Sequence, residues 1–393
     1  MTKGTTTGPL AGVRVIEMEA LGPVPFAGML LSDLGADVIR VDRPGAASPG
    51  TEMPSSDPRL EVTKRGRRSI QLDAKNEHGR RTILDLVSRA DILLEGNRPG
   101  VMEKLRLGPE DCFALRPQLV YGRATGWGQD GPYAKVAGHD VNFIALSGVL
   151  WGIGRPGERP VPPLNLLGDY GGGGMMLAFG VVSAVLESRS SGLGQVVDAA
   201  MLDGATLLST LVWEMRARGL HEDARGVNLL DTGAPFYDVY ECSDGEFVAI
   251  GALEPQFFQQ LCDLTGFERD IDPNDRLPQK DTASWPSRKH EMERLFATKS
   301  RAQWQELLEY TDSCFAPVLS WAEAPNHPHN IARRTFIEVD GVQQPAPAPR
   351  FSRTPAAVQR PPSAAGQHTD EVLTEVGLSS EDIQRLRALG AMG

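Results

Sequence analysis

No pair of cysteines in this sequence has C-x-x-C spacing; Cys112, Cys242, Cys262 and Cys314 are scattered. That argues against a zinc site or a disulfide framework and leaves buried, reduced thiols as the expectation. No uninterrupted apolar run approaches the ~18–20 residues that a bilayer span requires. The first residues hold no apolar signal core, and the last three do not form a peroxisomal tripeptide. A cytoplasmic protein with no membrane partner is therefore expected. Positive charge is also short: the net charge is −11, which disfavours a nucleic-acid partner. There is no cluster of metal-ligating residues, no internal repeat and no low-complexity tract. Nor does G-x-G-x-x-G follow the first strand-like run, so the dinucleotide fingerprint is missing.

What is present is ordinary in amount. The chain has 393 residues, 41% hydrophobic and 23% charged, which suits a globular protein of two or three domains. Strand-like runs at 12–18 and 36–41 flank a helical pattern at 26–34, a βαβ unit that predicts a parallel sheet. A helix at 77–89 and strands at 91–95 and 119–124 continue the rhythm of a doubly wound α/β domain. Asp42 ends the second strand, where a dinucleotide enzyme holds a ribose, but Pro23 and Pro25 remove backbone donors from the first turn. From Arg40 to Arg106 there are 14 Lys/Arg against 10 Asp/Glu. This local excess fits either a solvated face or a seat for a small phosphate-bearing ligand.

Helical patterns follow at 174–188 and within 195–208, then a polar stretch at 218–231 that suits a domain boundary. Alternating runs at 236–242 and 246–251 around Ser243-Asp244-Gly245 predict a hairpin. Helices at 255–265 and 302–310 complete a smaller α/β segment. Six prolines between 345 and 362 read as an extended strap, and 369–389 as one terminal helical segment. The resulting division is a large domain of 1–217 completed by 331–393, a linker at 218–235 and a small domain at 236–330.

Residues 138–174 hold the candidate chemistry. His139 and Asp169 each stand where an apolar, helix-like segment begins; a lone His beside an Asp is more often structural, and Asp140 and Asp169 could each be no more than a cap. Four glycines, 171–174, follow the second. Glycine costs a helix ~1 kcal/mol per residue relative to alanine, so four in a row predict that something closely approaches the backbone there. Side-chain bases beside open N–H groups suit removal of a proton from carbon. Imidazoles as a class titrate near ~6.5 and serve either as acid or as base at neutral pH. Aspartates titrate near ~4, so Asp169 needs burial to act as an acid.

The ordered motifs DLGADVIRVDRP (33–44), GNRPG (96–100), TGWGQDGP (125–132), AGHD (137–140), PPLNLLGD (162–169), GQVVDAA (194–200) and PRFSRTP (349–355) span the chain. On them the sequence resembles the family III coenzyme A transferases, and within these the α-methylacyl-CoA racemases. The resemblance implies a Rossmann-like large domain with a parallel sheet, a smaller α/β domain, and an interlocked homodimer. It further implies that each active site forms between the large domain of one subunit and the small domain of its partner.

For chemistry, the resemblance implies that (R)- and (S)-2-methylacyl-CoA thioesters interconvert through an enolate, as in branched-chain fatty acid or sterol side-chain breakdown. His139 and Asp169 would be the two acid/base groups, and Glu254 would polarise His139. Coenzyme A, part of the substrate rather than a separate cofactor, would lie against Arg43 and Lys104, with Leu72, Asp73 and Lys75, Gly96 and Arg98, and Gly138, Asp140 and Phe143 along the rest. Backbone N–H groups at the helix beginning near Asp140 would receive the enolate oxygen. No metal is implied. The alternative within the family is acyl-CoA:carboxylate CoA transfer with Asp169 as nucleophile; Glu254, where the transferases carry a glycine-rich loop, and His139 favour the racemase. An inactive acyl-CoA-binding protein would not need all three acid/base positions. The loop within 45–59 is longer than the racemases carry.

Overall fold

In the computed structural model, which describes residues 7–45, 57–267, 279 and 281–393, the apolar runs become one sheet. β1 (Arg14–Met18), β2 (Asp37–Asp42), β3 (Arg68–Gln71), β4 (Ile92–Glu95), β5 (Val120–Thr125) and β6 (Val196–Ala200) pair in the order 3-2-1-4-5-6. Every neighbouring pair is parallel. The central strands β1, β2 and β4 are buried on both faces, which is why they read as continuous apolar runs rather than alternating ones. Helices α1 (Pro23–Asp33), α2 (Glu77–Val87), α3 (Val101–Lys104), α4 (Pro109–Leu115) and α5 (Asp140–Leu146) follow the early strands. A π-helical segment, Leu166–Met175, then runs directly into α6 (Met176–Ser191), and α7 (Met201–Leu208) follows β6.

Two compact units result. The first holds 1–147, 163–209 and 336–393; the second holds 148–162 and 210–335. The change of unit thus comes at 209–210 rather than in the polar 218–231 stretch, and 148–162 belongs with the second unit. That unit contains α8 (Thr210–Ala217), a sheet of β7 (Tyr237–Glu241), β8 (Phe247–Gly251) and β9 (Phe315–Pro317), and helices α9 (Pro255–Thr265), α10 (Trp285–Phe296), α11 (Arg301–Leu308) and α12 (Pro328–Arg333). Its core gathers Phe236, Tyr240, Phe258, Phe296 and Trp304. The first unit is completed by the hairpin β10 (Phe336–Val339) and β11 (Val342–Pro345) and by α13 (Thr369–Glu375) and α14 (Ser380–Ala388).

Several local expectations are corrected. Helix α1 starts at Pro23 rather than 26, because prolines fit a first helical turn, whose N–H groups have no intrahelical partner anyway. The 369–389 segment is two helices, broken where Gly377 adopts φ 99°. Their residues Val372, Leu373, Val376, Ile383 and Leu386 pack into the same core as Ile16, Ile39, Ile70 and Leu93. Part of the basic excess is neither a solvated face nor a ligand seat but is buried in ion pairs, while Arg43 and Arg98 line a cavity and others are exposed. Arg65 meets Asp33 at 2.6 Å, Arg67 meets Glu17 at 3.0 Å and Arg40 meets Asp42 at 2.7 Å, all with buried side chains. Asp42 also accepts from Ser69 Oγ, so it is engaged inside the sheet and is not offered to a ribose. Cys314 is exposed, whereas Cys112, Cys242 and Cys262 are buried. The helical pattern at 174–188 belongs to a continuous stretch, Leu166–Ser191, that among the described residues is long and apolar enough by length and composition to cross a membrane; its inner face, Leu177, Val181, Ala184 and Val185, packs on the sheet. Residues 46–56 of the longer loop lie outside the described residues.

Candidate active site

Strand order reverses between β1 and β4, and an open parallel sheet binds ligands beyond the carboxyl ends of its strands at such a point. A cavity of about 560 Å³ lies there, in the first unit. Its wall takes Glu19–Pro23 after β1, Gly96–Pro99 after β4 and Thr125–Trp127 after β5. Each loop is held from beneath. Glu95 Oε2 accepts from the Asn97 N–H (2.7 Å), and its Oε1 accepts from Arg123 Nε (2.7 Å), so the GNRPG turn is tied to the sheet. Burial pushes the Glu95 carboxyl up, against the pull of Asn97 and Arg123.

His139 and Asp169 both line this cavity. The imidazole follows Gly138, which is packed against Phe143 and Trp127. Those two rings meet edge to face at 4.8 Å, and Trp127 Nε1 donates to the Val136 carbonyl (3.1 Å). His139 is the N-cap of α5, but its side chain makes no capping bond. Asn142 Oδ1 accepts from the His139 N–H instead (3.0 Å), so the ring is not spent on the helix. The N–H groups of Asp140 and Val141 open this helix and have no acceptor within it.

Asp169 reaches the cavity from a separate segment, with Oδ2 3.4 Å from where a Cβ on Gly22 would stand. Its neighbour Tyr170 stacks on Phe26 of α1, centroids 4.4 Å apart. Asp169 does not cap its helix: it sits inside the π-helical segment, and its Oδ2 accepts from Asn165 Nδ2 (3.3 Å). Burial is the main cause that raises its carboxyl above the ordinary range, with the Asp140 charge adding to it. The Asn165 hydrogen bond and His139 pull the other way. The half-buried Asp169 carboxyl, lining the same cavity as the imidazole, therefore holds a proton more readily than a solvated aspartate does.

The glycines find their reason in packing rather than in a ligand. A side chain on Gly172 would reach the backbone of α7, and one on Gly174 would meet Phe26 and the Pro23 carbonyl. From the other side, a Cβ on Gly204 would lie 1.9 Å from the Gly172 carbonyl oxygen. What approaches the backbone is therefore α7 and α1, which set the segment carrying Asp169 in place. Gly204→Ala is expected to cost about 1–3 kcal/mol by overpacking; thermal melting checks it, and an unchanged transition would contradict the contact.

Of the residues named for coenzyme A, Arg43, Gly96, Arg98, Gly138 and Phe143 line the cavity. Leu72, Asp73, Lys75, Lys104 and Asp140 do not. Leu72 is 1% exposed in the core, Asp73 accepts from the Lys75 N–H, and Asp140 is buried at the first position of α5. Lys104 is exposed at the end of α3. Glu254 belongs to the second unit; it precedes α9 and makes no side-chain cap there. Glu19, Leu21, Trp127, Val136 and Met201 also line the cavity, and the sequence reading missed them. For Glu19 a signal existed, since it directly follows the first strand at the point of reversal. Its Oε2 accepts from both the N–H and Nε of Arg43 (3.2 Å each) and so holds that guanidinium at the rim. Among the described residues no group of three or more His, Cys, Asp or Glu could hold a metal ion.

A racemase from Mus musculus, alpha-methylacyl-CoA racemase, is 47% identical over 383 residues, 96% of each chain. The Homo sapiens protein of the same name is 44% identical, again over 96% of each chain. The crystal structure of a CAIB/BAIF family protein from Brucella suis superposes with a TM-score of 0.81 at 26% identity, over 94% of this chain and 100% of that one. The family model described as CoA-transferase family III matches residues 10–369, and this chain belongs to that family.

Proposed function

We propose that this chain is a racemase that interconverts the (R) and (S) epimers of 2-methylacyl-CoA thioesters by 1,1-proton transfer. The carrying observation is that an imidazole and a carboxyl of raised pKa, from two separate segments, line one cavity at the sheet's carboxyl edge. The names of the mouse and human relatives support the substrate class.

The hydrogen α to a thioester is weakly acidic, so its removal needs a base on one face and an acceptor for the enolate oxygen. His139 and Asp169 are the two groups: one takes the proton while the other returns a proton to the opposite face. The open N–H groups at the start of α5 receive the oxygen. Arg43 and Arg98, at the rim, meet the phosphates of coenzyme A, and no further cofactor takes part. Glu19→Gln, which weakens the hold on Arg43, is expected to raise KM about threefold to tenfold with kcat nearly unchanged. Steady-state kinetics checks this, and a fall in kcat instead would move Glu19 into the chemistry.

We further propose a homodimer, in which the partner subunit's Glu254 polarises His139. Each unit presents exposed apolar side chains among its described residues. Phe179 and Leu186 on α6 are 72% and 73% exposed, and α8, with Leu211 and Trp213, has no buried residue. Faces of this kind mark association surfaces. Phe179→Glu is expected to shift the chain toward monomer in light scattering and to reduce activity.

The test of function is incubation of one pure epimer of a 2-methylacyl-CoA with the protein in deuterated water. Deuterium at the α-carbon together with loss of optical purity supports racemisation. Label-free, unepimerised substrate, with Asp169 trapped by hydroxylamine once a carboxylate acceptor is added, would show a transferase instead.

A further inference from the structure

His139 and Asp169 lie on separate segments, yet the residue next to His139 holds the segment of Asp169. Asp140 is 5% exposed, and its Oδ2 accepts from the N–H of Gly168 and from the N–H of Asp169, both at 2.7 Å. It does not cap its own helix; it caps another. Two N–H donors on one ionised oxygen, at this length, make a strong and directional contact. The fit is close: a Cβ on Gly168 would stand 2.6 Å from that oxygen, so this residue can bear no side chain without moving the clamp. The other carboxylate oxygen, Oδ1, is buried with no hydrogen-bond partner. A buried carboxylate is costly unless its partners are well placed; here the two placed partners belong to the catalytic segment.

We infer that Asp140 is a positioning residue that fixes the spacing between the two acid/base groups across the substrate's α-carbon. This rests on the racemase reading. The strut is one residue long on the imidazole side, where Asp140 follows His139, and ends on the backbone nitrogen of Asp169 itself. Without it Asp169 still exists, on a segment that can shift relative to His139. A displacement near 1 Å is enough to cost about 10²-fold in a positioned reaction.

The consequence is specific to the two-base mechanism. With Asp169 displaced and His139 in place, the epimer whose α-hydrogen faces His139 still reacts. Its C–H bond breaks, the imidazole takes the proton, and the imidazolium exchanges with solvent. Deuterium then returns to the same face from the same nitrogen, so exchange proceeds with retention. Inversion, which needs Asp169 on the far face, is lost.

The experiment uses the full-length chain and each pure epimer of a 2-methylacyl-CoA in deuterated water, measuring α-deuterium and optical purity together. For Asp140→Ala, inversion is expected to fall about 10²-fold, KM to change less than about threefold, and the exchange-to-inversion ratio to rise at least about tenfold for one epimer only. Asp140→Asn, which keeps an acceptor oxygen, should restore most of the inversion. If the alanine chain does not fold, Gly168→Ala tests the same contact from its other side and should raise the ratio for the same epimer. Normal inversion in Asp140→Ala, or parallel loss of exchange and inversion for both epimers in a folded chain, overturns the assignment, as does an unchanged ratio in Gly168→Ala. A wild-type chain that neither exchanges nor inverts refutes the racemase reading itself, and with it this role; a wild-type chain that racemises beside an unaffected variant refutes this role alone.

Discussion

Asp169→Asn is expected to slow epimer interconversion by about 10²–10⁴-fold, the usual contribution of a general acid or base, and at the same time to raise the melting temperature at neutral pH. The two effects have one cause. Burial raises the Asp169 carboxyl above its ordinary value of 3.8, so the folded chain holds this proton more tightly than the unfolded chain does. A carboxyl shifted in that direction favours folding while it is protonated. As the pH rises through the unfolded and then the folded value, that contribution is lost and the ionised form is penalised. Asparagine stays neutral throughout. The variant and the natural chain should therefore melt alike near pH 4 and diverge as the pH rises, the variant being the more stable. His139→Ala should match the activity loss without this pH-dependent gain. Chiral analysis of both epimers and a pH series of melting curves check the pair of effects. A variant that keeps near-normal interconversion, or that melts lower than the natural chain at neutral pH, would refute the role given to Asp169.

Glu17→Ala is expected to be the most destabilising single change in the first unit. Glu17 and Arg67 are both fully buried, and Nε meets Oε2 at 3.0 Å. Arg67 also donates to the carbonyls of Thr63, Arg65 and Pro25. Burial already pulls this guanidinium below its ordinary pKa, with Glu17 the chief opposing influence. Removing the carboxylate leaves a buried cation without its counter-charge, which costs about 3–5 kcal/mol. For a unit of this size that is a fall of roughly 6–10 °C in Tm. Replacing both partners, as in Glu17→Leu with Arg67→Met, should recover part of the loss, because the desolvation cost disappears with the charges. A single variant that melts within about 2 °C of the natural chain would show that the pair is dispensable.

The central strands were legible in the sequence because a parallel strand buried on both faces leaves an apolar run, whereas β6, exposed over part of its length, was hidden inside the stretch read as helical at 195–208. RVIEM, DVIRVD and ILLE mark β1, β2 and β4 within one or two residues. His139 and Asp169 were legible through motif resemblance, and their shared cavity follows from the fold. What was not legible is contact between residues far apart. Arg65, Arg67 and Arg68 look like a solvent-exposed basic turn, and only the packed structure supplies Asp33, Glu17 and Asp37 to meet them. The glycines at 171–174 signalled a close approach correctly, but nothing local says that the approaching body is a helix rather than a ligand. Asp140 shows the same limit, since its position suggests a cap for its own helix while its carboxylate serves the one 28 residues on.

The return of α13 and α14 to the sheet has a consequence for synthesis. All six strands of this sheet have been translated once Ala200 is made, but the core on one of its faces, begun by Ile83, Leu86 and Val87 of α2 and Met102 of α3, is completed only by residues from Val372 onward. At about 5–20 residues per second, the nascent chain waits roughly 10–35 s with the core around Ile39, Ile70 and Leu93 incomplete. Closing so long a loop adds little to the entropic cost, which grows only with the logarithm of its length. The delay is one of translation, and it makes this face the part of the newborn chain most in need of a chaperone.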